Sequence, residues 1–308
     1  MNIFNKFPKV SPNSLAARLF LAFLATAGLF YVNIMPAIVS GLIEALDFSN
    51  QQAGSVASAN MYGAAFGALF IVWFVRRMNW QLVSVVFLLT LISIDLASTY
   101  VSHPTTLTAI RFVHGFVGGM LVGTGFSVMA RTEEPDKSFG MLLIVQFGLG
   151  GLGVMFIPGL VPHFGTTILF MSLVTFSLVT LLMLPFLPDY HVDKEEARLR
   201  AEAHDGVRKL PLALTLTSIF LFQAANMGLY AYIIGLGEYY GLELPFITGT
   251  LGPAAWLGLV GAGLVVVLSD RLGYLKSLGA GILVTVIGTW AYLHSDIPWV
   301  WIAANCLI

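Results

Sequence analysis

Charge is what this sequence has least of: Asp, Glu, Lys and Arg make up 10% of 308 residues, against about 25% in soluble globular chains. Apolar residues reach 57% and mean hydropathy is +0.86, so the chain belongs in lipid rather than in water. Cysteine occurs once, at Cys306, which excludes an internal disulfide and matches no metal-binding pattern. The histidines are scattered, without a His-x-x-x-His pair. No metal and no cofactor is therefore expected. Neither a nucleophile–base pair nor a ligand cluster is visible, so an enzyme is not expected either. A formal net charge of -1 without a long basic block leaves no electrostatic footprint for nucleic acid.

What the chain has in abundance is long apolar runs. Nine of them, at roughly 17–43, 53–75, 80–100, 106–130, 139–162, 166–188, 212–238, 247–268 and 277–294, reach the about 20 residues that one bilayer crossing needs. Lipid leaves backbone polar groups to be bonded internally, and the runs lack strand alternation, so each is expected to be an α-helix. A tenth runs from Trp299 to Ile308, about half a crossing at ~1.5 Å per residue. The expected fold is an all-α integral membrane bundle. Near the start, Lys6, Lys9 and Arg18 precede Ala25-Thr26-Ala27, which could pass for a signal-peptidase site. The apolar run continues to Ile43, too long for a signal segment, so it is expected to span and stay.

Lys and Arg favour cytoplasmic loops. If the helices alternate, Lys6, Lys9, Arg18, Arg76, Arg77, Arg131, Lys137, Arg271, Lys276 and the bases between 194 and 209 share one side. Only Arg111 lies inside a helix. The N-terminus is expected to be cytoplasmic. The polar segment 189–211 mixes opposite charges near four-residue spacing, as a solvated linker or a short surface helix would.

The two sides of that linker repeat each other. At an offset of 194 positions, Gly41-Leu42-x-Glu44 matches Gly235-Leu236-x-Glu238, Gly67 matches Gly261, Arg77 matches Arg271 and Trp80 matches Tyr274. Matches at one offset, each at the same place in a helix or loop, imply parallel halves. The expected division is a first six-helix half over 1–188, the linker over 189–211 and a second half over 212–308.

The loop Asp270-Arg271-x-Gly273-x-x-Lys276 resembles the signature cytoplasmic loop of the major facilitator superfamily, whose members have two six-helix halves. In its first-half copy, Arg76-Arg77-Met78-Asn79, Arg76 and Asn79 stand where that family carries Asp and Gly. Arg111-Phe112-Val113-His114-Gly115 looks like the family's Arg-x-x-Gln-Gly motif with His114 for Gln. The resemblance implies a bundle of two six-helix repeats, of which about nine and a half helices are present. It also implies a bacterial-type inner (plasma) membrane location. A second half mirroring the first would run about 80 residues further, so the sequence is expected to be cut short.

Candidate functional residues are the polar groups that lipid makes costly. A charge at a helix centre costs about 2.5 kcal/mol or more. Asp95 and Arg111 each lie eight residues from His103, so in an antiparallel hairpin they should meet, either as a static lock or as a functional pair. His114 follows Arg111 by one turn on the same face and has the pKa range of a proton carrier. Gln223, Asn226 and Tyr230 share a face of the seventh helix, and Asn33 sits at the same level of the first. Interhelical hydrogen bonding is the plainer reading of such residues, and the favoured one for Asn60 and Gln146. Glycines spaced by four, Gly115, Gly119 and Gly123 with Gly63 and Gly67, read as close helix packing.

By the resemblance, helices one, four, seven and ten line a cavity, where Arg111, His114 and Asp95 would handle charge and Asn33, Gln223, Asn226 and Tyr230 would contact solute. Asp270, Arg271, Gly273, Arg76 and Arg77 would form a cytoplasmic gate. The expected function is secondary active transport of a small solute by alternating access, coupled to protons, by a monomer in the bilayer. The alternative is a non-transporting membrane protein, a sensor or a truncated transporter relic.

Overall fold

The computed structural model describes residues 7–75, 77–190, 209–272, 274–294 and 296–307, leaving aside the side chains of 262–275, 277 and 278. Among the described residues there are α-helices and no strand. They are α1 (Leu15–Asn33), α2 (Met35–Leu46), α3 (Asn50–Ile71), α4 (Trp80–Ser98), α5 (Pro104–Met129), α6 (Pro135–Phe164), α7 (Thr166–Met183), α8 (Lys209–Tyr239), α9 (Leu244–Leu272), α10 (Tyr274–His294) and α11 (Pro298–Leu307). A 3₁₀ turn, Leu184–Phe186, closes α7. Among the described residues, seven segments, in α1 and α4 to α9, are long and apolar enough to cross a membrane, against the nine full runs expected.

The first expected helix is broken. Between α1 and α2, Ile34 leaves helical geometry at φ -108°, ψ 17°. Pro36 is the cause, because it has no N–H to give to the carbonyl of Val32 and its ring crowds that carbonyl. Ile34 N–H turns back to Phe30 and Val32 instead. Elsewhere short polar signals set the boundaries. Ser49 and Gln52 form a reciprocal capping box that starts α3. Asn79, which departs from the family's loop pattern, caps α4 by accepting from Leu82 N at 3.2 Å.

Helices in lipid associate by packing rather than by hydrophobic expulsion, so small residues decide where backbones touch. Parallel α3 and α5 do so along their glycines. A Cβ on Gly63 or Gly67 would lie 2.1 or 1.9 Å from the carbonyls of Phe112 and Phe116, and one on Gly115 or Gly119 would lie 1.9 or 2.0 Å from those of Asn60 and Ala64. α1 crosses α5 at Gly28 and Gly118 in the same way. Around these seams Leu21, Leu24, Ile38, Leu88, Leu121 and Phe170 are fully buried.

A smaller apolar cluster joins Ile233, Ile234, Ile247, Tyr292, Trp301 and Ala304 of α8 to α11 with Val154 of α6. Across to the first seven helices, α9 packs on α6, where Trp256 Nε1 donates to Gly148 O at 3.2 Å. α8 packs on α2 at the end of the bundle that holds the α2–α3 turn, where Tyr232 Oη donates to Asn50 O at 2.8 Å. The other end of α8, Lys209 to Ala225, is exposed.

The opposite end of the bundle is stitched by chain ends and turns. Lys9 Nζ donates to the carbonyls of Pro185 (2.7 Å) and Leu187 (3.0 Å). Tyr190 Oη donates to Pro12 O at 3.0 Å, and burial pushes its hydroxyl up to about 12. Glu134 takes hydrogen bonds from both Lys137 and Arg18; the Lys137 bond first, then the two cations, hold its carboxyl below the ordinary range.

Candidate functional site

Two polar regions stand out, and they are separate. The first is a sealed cluster between α3, α4 and α5. Asp95 and Arg111 are 0% exposed and His114 3%. Arg111 Nη1 donates to Asp95 Oδ1 at 2.7 Å, while Nη2 donates to Ser98 Oγ and to Ile94 O at 3.4 Å. Its guanidinium lies between aromatic faces, 4.9 Å from the centroid of Phe170 and 5.9 Å from that of Tyr31. Aromatic faces favour a cation. The hairpin geometry expected from the sequence thus brings Asp95 and Arg111 into contact.

His114 joins them through Nε2, 3.3 Å from Asp95 Oδ2. Its Nδ1 is 2.8 Å from Asn60 Nδ2, which also lies 3.2 Å from Arg111 O. A backbone carbonyl only accepts, so the amide nitrogen of Asn60 must be the atom facing it. Nδ1 of His114 then receives a donor and carries no proton, which leaves the proton on Nε2, pointing at Asp95. The glycine seam makes this possible: without side chains at Gly115 and Gly119, α3 comes close enough for Asn60 to reach across α5. In this arrangement His114 is neutral, and Asp95 and Arg111 balance each other.

The second region is a cavity of ≈500 Å³ lined by α1 and α6 on one side and by α8 to α11 on the other. Asn33, Gln146, Asn226, Tyr230, Thr285 and Asn305 supply its polar groups, and Phe147, Val154 and Leu251 part of its apolar wall. Among the described residues no charged side chain lines it. The break at Ile34 presents the carbonyl of Asn33 to Tyr230 Oη, 2.7 Å away. α1 therefore links the two regions: Tyr31 touches the cluster, its ring centroid 5.9 Å from that of His114, and Val32 and Asn33 face the cavity two steps on.

Several expectations need correction. Asp95, Arg111 and His114 do not line the cavity, because α3, α4, α5, α1 and α7 close around them on every side. Gln223 is exposed and lies outside the lining. Asn226, Tyr230 and Asn33 do come together there. Arg77 is exposed in the turn before α4. Arg76, Gly273 and the side chains of Asp270 and Arg271 lie outside the described residues. Asn60 makes the interhelical hydrogen bonds that were its favoured reading, to Arg111 O and His114 on α5. Gln146 lines the cavity, and Ser98 and Tyr31 join the cluster.

Among the described residues, no group of three or more His, Cys, Asp or Glu side chains forms a metal site. A multi-pass helical bundle with one occluded ionic cluster and a central cavity belongs to the class of membrane transporters. The family model of the Major Facilitator Superfamily matches residues 19–308, and the chain belongs to that superfamily, one of transporters and not of enzymes. Crystal structures with a similar fold include a mutant of the nucleoside transporter NupG, at TM-score 0.57 and 14% identity over 96% of this chain and 79% of that one. Another is a D-xylose–proton symporter, at TM-score 0.53 and 15% identity over 94% of this chain and 78% of that one. At such identities the likeness is one of fold. No curated protein sequence matches the chain.

Proposed function

We propose that the protein is a proton-coupled secondary transporter that moves a small solute across the inner membrane by alternating access. Its two halves are 1–188 and 212–308, joined by 189–211, with the base-rich end of the bundle and the N-terminus in the cytoplasm. The observation that carries this reading is the cavity, whose wall is drawn from both halves. The α2–α8 contact and the Tyr232–Asn50 bond close it on the outer side, and the exposed length of α8 lies on the inner side. That combination fits an inward-facing state.

Proton coupling rests on the cluster. A proton arriving at His114 must go to Nδ1, the nitrogen that now accepts from Asn60. Asn60 then has to turn its oxygen toward the imidazolium and release the carbonyl of Arg111. This rearrangement lies on the α3–α5 seam, and Tyr31 carries it along α1 to Asn33. The D-xylose–proton symporter of similar fold supports coupling to protons. The Asp270–Arg271–Gly273 loop and its partner at Arg76–Arg77 complete the proposal as the cytoplasmic gate.

The test is solute flux into vesicles reconstituted with the chain. An imposed proton gradient should accelerate uptake, and a protonophore should abolish the acceleration. His114→Gln should keep solute exchange between the two sides of the vesicle while losing gradient-driven uptake. Acceleration that survives in His114→Gln would remove the cluster from coupling. Vesicles without flux of any solute would favour the sensor reading.

A further inference from the structure

Resting on the reading of the cavity as the solute site, we infer that the solute is an uncharged ring compound with a planar amide-like edge, a lactam or imide, rather than a polyol or an ion. Several polar groups in the cavity are already engaged. Tyr230 Oη donates to Asn33 O at 2.7 Å, and Thr285 Oγ1 to Gly281 O at 3.0 Å. Tyr292 Oη donates to Asn305 Oδ1, and Asn305 Nδ2 donates in turn to Thr250 Oγ1 at 3.2 Å. The hydroxyl donors and Asn305 are therefore used within the protein.

Three side chains are left over. The carboxamides of Asn33, Gln146 and Asn226 make no hydrogen bond to any described residue, and all three line the cavity. Asn33 Nδ2 is itself buried and without a partner. Its side chain is held over Gly150, where an added Cβ would meet Asn33 Cβ at 3.0 Å. A buried amide nitrogen without an acceptor loses its hydration and gains nothing in return. Asn33 Nδ2 has no surface open to a solute, so the half-buried carboxamides of Gln146 and Asn226 are the ones that meet it.

The chemistry of the remaining groups selects the partner. A carboxamide offers one acceptor and two N–H groups in a single plane. The group that matches it is another planar amide, which gives and takes one hydrogen bond at the same edge. The surrounding wall, Phe147, Val154 and Leu251 with glycine backbone between them, suits an apolar ring. A hexose brings hydroxyls around its whole perimeter, and the apolar wall would leave most of them unpaired. An ion meets no counter-charge among the described lining residues, since Arg111 and Asp95 are sealed away and paired with each other.

Cys306 provides the reporter. It is the single cysteine of the sequence, it is exposed, and it lines the same cavity. The rate of its alkylation by N-ethylmaleimide is measured on the purified full chain with uracil, 2-pyridone, xylose, benzoate or tetramethylammonium present in turn. Uracil and 2-pyridone should slow alkylation severalfold, and the other three should leave it unchanged. In Asn226→Ala and in Gln146→Leu the concentration that protects should rise about tenfold, the effect of one lost hydrogen bond, with the unfolding temperature retained. Protection by xylose, benzoate or tetramethylammonium but not by the lactams would overturn the solute class and leave the transporter reading in place. If no compound of any class protects Cys306, the cavity is not the solute site and both readings fall.

Discussion

The sealed cluster and the central cavity hold the same kinds of polar atom and treat them in opposite ways. In the cluster, Asp95, Arg111, His114, Asn60 and Ser98 answer one another, save for Arg111 Nε, and α1, α3, α4, α5 and α7 close around them. In the cavity, between α1 and α6 on one side and α8 to α11 on the other, the amides of Asn33, Gln146 and Asn226 make no hydrogen bond to a described residue. Charge is kept where both signs are paired among closely packed helices. Neutral hydrogen-bonding capacity is left on the wall of the cavity. Under the proposed alternating access, the cavity can open without exposing the ion pair. Arg111 thus stands outside the cavity that a helix-four arginine was expected to serve; Tyr31, against its guanidinium, is followed by Val32 and Asn33 in the cavity wall.

The comparison breaks most visibly if one member of the ion pair is removed. Arg111→Met or Asp95→Leu alone leaves the other charge buried and should cost about 3–5 kcal/mol. Unfolding in detergent would register this, and the double variant should recover much of the loss. A double variant no more stable than either single one would show that the pair does not act as a unit.

Next in size is the seam that lets the cluster form. Gly115→Ala puts a methyl 1.9 Å from Asn60 O and should cost about 1–3 kcal/mol through overpacking. Gly140→Ala, with nothing within 4 Å of the added carbon, serves as the control in the same unfolding assay. Asn60→Leu should cost about 1–2 kcal/mol, because it strips a donor from both Arg111 O and His114. It should also shift the pH profile of gradient-driven uptake. An unchanged profile would separate Asn60 from the proton step.

The cavity amides should behave in the contrary manner. Asn226→Ala breaks no bond within the protein, so the unfolding free energy should stay within about 0.5 kcal/mol while lactam protection of Cys306 weakens. A large loss of stability there would mean that Asn226 is a packing residue after all. The smallest effect is expected outside the membrane, at Glu134. Its carboxyl is held below the ordinary range by Lys137 and Arg18. Its stabilising contribution is thus present above the unfolded carboxylate range and is lost as pH falls through the folded value. Glu134→Gln should lower the unfolding temperature slightly near pH 7, and by less and less as the pH falls through the range of the folded carboxyl. A deficit that persists in acid would contradict the ion-pair account.

By itself the sequence determined the membrane class, the helical class and the superfamily, because these follow from apolar length, backbone bonding and loop motifs that act locally. It also determined that Asp95 and Arg111 meet, since a tight turn at His103 makes equal spacing into equal depth. Its periodicity could not show that Pro36 breaks the first crossing at Ile34, because hydropathy averages over a single missing N–H. Nor could it tell that Arg111 is sealed among α1, α3, α4, α5 and α7 while Asn33 and Asn226 line the cavity. Only the tertiary structure decided this. Whether a polar side chain is paired or offered depends on which helix lies opposite, and that is set by glycines on several helices at once rather than by the residue's own neighbours in the chain.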